Sequence, residues 1–175
     1  APLTHQRWGH NLSGGGHVLI RAITKHDTSA ERAFIEGLSA NAQRMRFMAQ
    51  VKHPSEKLIA QLTELDGVNQ VALVAVMKAG AAEKFLGVSR YSLDPVKAHG
   101  ECALVVSDDW QHKRLGAALM RHLIDIARAE KIVALESIAF AENTYMRKLM
   151  HELGFHLRSD PDDASQVIYR LDLSS

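Results

Sequence analysis

The chain has 175 residues and carries 21 Lys and Arg against 20 Asp and Glu, a formal net charge of +1 with its histidines neutral. That length suits one globular domain, expected over residues 1–175, that buries a core without disulfide or metal staples. The near-zero charge argues against a domain that coats nucleic acid, and no apolar run approaches the roughly 18 residues needed to span a membrane. Ala1 to Gly16 lacks the basic, apolar and small-residue segments of a secretory signal. The single cysteine, Cys102, cannot form an internal disulfide, so a reducing, cytoplasmic setting is expected.

Trp8 to Leu12, Ser13-Gly14-Gly15-Gly16 and His17 to Ile23 read as strand, turn and strand, because glycines supply the positive φ angles that reverse a chain. A nucleotide-binding module using these glycines would need them to lead into a helix, whereas Val18-Leu19-Ile20 continues as a strand. Asp27 or Thr28 caps a helix running to about Leu38. A short helix is expected over Ala42 to Phe47, and Ser55 with Leu58, Ile59, Leu62 and Leu65 marks a further one. Gln70 to Met77, Phe85 to Leu93 and Glu101 to Val106 follow as extended segments, separated by Ala79-Gly80-Ala81 and Asp94-Pro95, which suggests an antiparallel meander. A long helix from about Lys113 to Glu130 presents Leu115, Leu119, Leu123, Ile126 and Ala127 on one face. Val133 to Phe140 reads as a buried strand, Asn143 to Leu153 as an amphipathic helix closed by Gly154, and Gln166 to Leu171 as a last strand. This second half has βαβ grammar.

The chemistry concentrates between Glu101 and Met120, a strand, a short polar turn and a helix whose first turn contains Gly116 and Ala117. A helix start offers unpaired N–H groups and the positive end of the helix dipole, which together make an anion site. Small residues there let a pyrophosphate reach the backbone. Lys113 and Arg114 add cationic charge where the dipole alone disfavours it, a conflict that a bound anion relieves.

This stretch resembles the acyl-CoA motif of the GNAT superfamily of N-acetyltransferases, written Q/R-x-x-G-x-G/A after a strand that ends in two apolar residues. Gln111 and Gly116 match the motif, Val105 and Val106 precede it, and Arg114 stands where the family usually has its first glycine. Because backbone N–H groups do the binding, an arginine fits there if its φ is negative. Asn143, Met146, Leu149 and Leu153-Gly154-Phe155 follow at the family's usual distance. Within the superfamily the chain looks most like the acetyltransferase domain of Pat-type bacterial protein lysine acetyltransferases. That impression rests on Trp8 with the Gly-rich hairpin, Arg21 to Asp27, Ser39 with Arg44-Met45-Arg46-Phe47, and Gly100 to Val106. The synthetase-like or nucleotide-binding regions of those larger proteins have no counterpart within these residues.

The resemblance implies an α/β (α+β) fold: a mixed, mainly antiparallel sheet splayed at its central strands, flanked by helices and preceded by a β-hairpin. It implies that acetyl-CoA lies in the splay, held by Val105, Val106, Gln111, His112, Lys113, Arg114, Leu115, Gly116, Ala117 and Asn143. The acceptor is then an amine, a protein lysine first and a small amine second. A lysine titrates near 10.4, so a base must take its proton. Glu101 is the candidate, with apolar neighbours expected to raise its pKa toward working pH. Many family members put a tyrosine seven residues after the asparagine to protonate the departing thiolate; here Met150 occupies that position, and Tyr145 is expected to point elsewhere. A non-catalytic acyl-CoA sensor is the rival reading, motivated by Arg114 and Met150 and opposed by Glu101. Cys102 should face away from Glu101 as a buried structural thiol. His151 to His156 resembles a zinc-protease string, but its spacing is one residue too long and Gly154 interrupts the helix, so no metal is expected.

Overall fold

The computed structural model describes residues 6–12, 14–94, 96 and 98–174; Ser13 and Pro95, which the sequence assigns to turns, lie outside the described residues. The chain begins with β1 (Arg7–Asn11) and β2 (His17–Ala22), then helices α1 (Thr28–Gly37), α2 (Ala40–Phe47) and α3 (Glu56–Thr63). A meander follows, made of β3 (Gln70–Ala79), β4 (Ala82–Asp94) and β5 (His99–Val106). After it come α4 (Leu115–Ala129), β6 (Ala134–Phe140), α5 (Thr144–Glu152), β7 (His156–Ser159) and β8 (Gln166–Asp172). The strands form one sheet in the order β1-β2-β3-β4-β5-β6-β8-β7, antiparallel at every step except β5 to β6. Among the described residues no helix is long and apolar enough to cross a membrane.

Local chemistry accounts for most of these boundaries. The Ser39 and Ser55 hydroxyls cap α2 and α3 by accepting from the N–H groups of Ala42 and Leu58, each at 3.0 Å. Asp27 stands at the cap position of α1 but makes no side-chain cap bond. Its carboxylate instead takes two 2.9 Å bonds from the buried Arg21 guanidinium and one of 2.8 Å from the Thr24 N–H, which ties the start of α1 to β2. On β3, Val71 to Val76 are all buried because helices cover both faces of the sheet's centre. Leu115, Leu119, Leu123 and Ala127 of α4 are at most 2% exposed; Ile126 is only partly buried, and Met120 and Ile124 complete the stripe.

Three expectations need correction. The long helix starts at Leu115 rather than Lys113, because His112 (φ 62°) and Arg114 (φ 68°) are left-handed and break the helical path ahead of it. The strand after it is not buried throughout: Val133, just ahead of β6, is 37% exposed, and Ile138 is 44% exposed for the reason given by the site below. β7 was not expected. Its four residues are all exposed and carry no apolar alternation, so only pairing with β8 makes it a strand.

The N-terminal hairpin docks on α4 through rings. Trp8 stacks on His122 with centroids 4.2 Å apart and planes 17° apart, and the His10 and His122 Nε2 atoms are 2.8 Å apart. One of those nitrogens must therefore accept, so the pair cannot be doubly protonated without breaking. Burial and the neighbouring His10 lower the pKa of His122, while Asp125 opposes them. A base whose folded pKa is depressed gives stability that is present above its unfolded value, near 6.5, and lost as pH falls through the folded value. Thermal melting followed by circular dichroism should show the melting temperature dropping as pH is lowered from about 6.5, and His122→Phe, which keeps the stack, should flatten that dependence.

Candidate functional site

The site is built on a break in the sheet. β5 and β6 run parallel but pair only at His99–Ala134, Gly100–Leu135 and Glu101–Glu136. A Cβ on Gly100 would lie 2.8 Å from Leu135 Cδ2, so a bulkier residue there would force the Leu135 side chain to shift. Beyond Glu101 the strands part, although β5 stays paired with β4 to Val106 and β6 with β8 to Phe140. The facing edges are left without a strand neighbour, and backbone groups in that position require a partner. The resulting cleft, about 310 Å³, is walled by Leu104, Val105 and Val106 on one side and Ser137, Ile138 and Ala139 on the other. This gap is what exposes Ile138.

One end of the cleft is an anion cradle. The Ala118 N–H bonds to the Arg114 carbonyl at 3.1 Å and opens the helical ladder of α4. No side chain caps that helix, so the N–H groups of Leu115, Gly116 and Ala117 are presented together with the positive end of the dipole. The left-handed His112 and Arg114 on either side of Lys113 curl the preceding backbone into a nest of the kind that binds anions. A Cβ on Gly116 would lie 2.3 Å from Tyr145 Oη, so the missing side chain leaves room for the Tyr145 hydroxyl over the cradle. Gln111 donates from Nε2 to the Val106 carbonyl at 3.1 Å and fixes the loop to the end of β5. Uncapped N–H groups at one end and an unpaired strand edge along the wall fit the pyrophosphate and the amide-bearing arm of an acyl-CoA.

The expected site residues take different parts in this geometry. Val105, Val106, Gln111, His112 and Asn143 line the cleft. The Asn143 Oδ1 also caps α5, accepting from the Met146 N–H at 3.1 Å. Leu115 and Ala117 are 1% and 2% exposed, so their side chains are core and only their backbone reaches the cradle. Lys113 Nζ lies 5.9 Å over the Trp110 ring. Arg114 departs from expectation: its φ is positive, and its exposed guanidinium leaves the cradle to bind both oxygens of Glu152 at the end of α5.

Glu101 departs too, being exposed rather than packed against apolar neighbours. It lies at the last paired position before the break and lines a second hollow of about 530 Å³, together with Arg46, Arg90, Tyr91, Ser92 and Gln166. Ala103, Arg46 and Ile138 border both spaces. The neighbouring Glu136 is held by His99, Arg158 and Arg170 at 3.5–3.7 Å. Glu101 makes no ion pair or side-chain hydrogen bond among the described residues. Cys102 faces the other way, 3% exposed, its thiol pushed up to about 12 by burial.

Sequence reasoning sent Tyr145 away from the site, yet it lines the cleft with its hydroxyl over Gly116 and its ring edge-on to His112 at 5.8 Å. Burial raises its pKa. Met150, at the position expected of a proton donor, is wholly buried. Arg46 and Arg90 were also missed as site residues. The only available signal was that α2 lacks an apolar stripe and ends in arginines, which is unusual for a helix lying against a sheet.

The sequence profile of the acetyltransferase (GNAT) family matches residues 40–155. The chain is 39% identical over 173 residues to acetyltransferase PA5475 of Pseudomonas aeruginosa, covering 99% of this chain and 93% of that one. The crystal structure of the GNAT domain of S. lividans PAT superposes with a TM-score of 0.85 at 25% identity, covering 95% of this chain and 97% of that one. The ribosomal-protein-S18-alanine N-acetyltransferase of Escherichia coli shares the fold, with a TM-score of 0.65 at 20% identity over 90% of this chain and 95% of that one. The profile match, the relative and the shared fold agree, and the chain belongs to the acetyltransferase (GNAT) family as an acetyl-CoA-dependent N-acetyltransferase.

Proposed function

We propose that the chain acetylates a protein lysine by direct attack of the free amine on the thioester, with Glu101 as general base. The observation that carries this reading is the unpaired Glu101 carboxylate at the point where β5 and β6 part, between the cleft that leads to Gly116 and the hollow open to an acceptor. The lysine acceptor is supported by the similarity to the S. lividans PAT domain. We propose one domain, residues 1–175, as the working unit, acting in the cytoplasm.

Acetyl-CoA supplies the activated acetyl group. The N–H groups of Leu115, Gly116 and Ala117, with the loop from Gln111 to Arg114, hold its pyrophosphate. Val105 and Val106 offer their unpaired strand edge to the arm, and a backbone N–H there polarises the thioester carbonyl. Asn143 adds its side-chain amide from the opposite wall. At neutral pH roughly one lysine in 2,500 is uncharged. Glu101 takes the ammonium proton, and the neutral nitrogen then attacks. Tyr145, whose hydroxyl stays protonated and lies in the cleft, is the group available to protonate the thiolate, the part that Met150 cannot play.

Free-thiol release should appear when purified protein, acetyl-CoA and a lysine-bearing protein are combined, and transfer confined to small amines would overturn the lysine acceptor. Glu101→Gln should lower kcat at pH 7 by about 10²–10⁴-fold. Its residual rate should climb about tenfold per pH unit toward 10.4 as free amine accumulates, and a variant rate parallel to wild type would remove Glu101 from the base role. Titration calorimetry should show Gly116→Ala weakening acetyl-CoA binding by about tenfold or more, a loss of at least about 1.4 kcal/mol. Adding Tyr145→Ala, which deletes the clashing hydroxyl, should restore part of it.

A further inference from the structure

The hollow beside Glu101 contains two cations that the reaction as described does not use. Arg46, in the last turn of α2, borders both the cleft and the hollow. Its guanidinium carbon lies 4.8 Å from the Phe47 ring centroid, and among the described residues no oxygen accepts a hydrogen bond from it. Arg90, on β4, donates to the Leu62 carbonyl at 3.1 Å and makes a long 3.4 Å contact with Glu31. Glu31, 2% exposed, is the carboxylate set behind both arginines. Burial raises its pKa, which disfavours its charge, and burial together with Arg90 lowers Arg46 to about 10. Glu31 and Glu101 are the carboxylates whose charge acts on Arg46, neither accepts a hydrogen bond from it among the described residues, and the geometry leaves its guanidinium facing the hollow. A half-buried cation such as Arg46, without a hydrogen-bonded anion, is costly, and a carboxylate entering the hollow would relieve that cost.

The anion does not come from the acyl donor. An acetyl group carries no charge, and the pyrophosphate cradle lies at the Gly116 end of the cleft, whereas Arg46 stands at the Glu101 side. Apart from Glu101, the remaining polar wall of the hollow, Gln61, Gln70, Ser92 and Gln166, is neutral and adds donors. We propose that Arg46 and Arg90 form a carboxylate subsite for the acceptor, so that the lysine preferred by this enzyme is one with an Asp or Glu beside it. The proposal rests on the lysine reading above. It also serves the chemistry, since cations next to the incoming ammonium favour loss of its proton.

The test compares a lysine peptide bearing an adjacent glutamate with the same peptide bearing glutamine, and 4-aminobutanoate with butylamine, in wild type, Arg46→Gln and Arg46→Lys. Calorimetry of acetyl-CoA binding establishes that each variant is folded. In wild type kcat/KM should be at least about tenfold higher for the glutamate peptide, through KM, and the ratio should shrink with added salt. Arg46→Gln should bring the ratio close to one, and Arg46→Lys should keep part of it. A wild-type ratio near one, or a ratio that survives in Arg46→Gln, would overturn the subsite. If no peptide reacts but 4-aminobutanoate outpaces butylamine, the subsite stands and the lysine reading falls; if the two amines react alike, the subsite falls as well.

Discussion

Everything at this site depends on backbone hydrogen bonds that two neighbouring strands do not make with each other. β5 and β6 are each fully committed on their outer sides, to β4 and to β8, and they meet each other at three positions only. An edge of unpaired N–H and C=O groups inside a folded protein is an instability unless something extended lies along it. Here the gap becomes a slot for an extended ligand, and the last paired residue, Glu101, sits where the slot opens to a second hollow. Binding and chemistry are joined because both are set by the register at which the pairing stops.

The cradle follows the same logic on a smaller scale. α4 begins with no side-chain cap, so its first N–H groups are unsatisfied by the protein. The loop ahead of it is bent by two residues in left-handed conformations, neither of them glycine. Strain of that kind persists where the surroundings over-determine it. The Gln111 bond to Val106, the burial of Leu115 and the contact of Tyr145 with Gly116 do so here.

The fold was legible where local pattern and tertiary role agree. The meander, the apolar stripe of α4 and the serine cap of α3 all announce themselves, because period and capping chemistry are properties of neighbouring residues. What stayed hidden depends on partners distant in sequence. The four exposed residues of β7 acquire strand character only from β8. The positive φ of Arg114 contradicts the residue's own preference, and nothing nearby in sequence signals it. Tyr145 looked misplaced because the position of its hydroxyl depends on the space left by the missing Cβ of Gly116, on another helix. The cleft residues of the motif were readable; the arginines of the hollow were not, since their meaning comes from α2, β4 and α1 meeting in space.

The pairing of Arg114 with Glu152 has a consequence for how this enzyme can vary. Two surface residues 38 positions apart hold the same strained loop, one through its backbone and the other by anchoring its side chain. A change at Glu152, which does not line the cleft, would therefore be felt in the anion cradle. Whether it is tolerated would depend on whether position 114 carries an arginine, which needs the anchor, or a glycine, which adopts the positive φ without strain. The effect of a substitution at either position thus depends on the residue at the other.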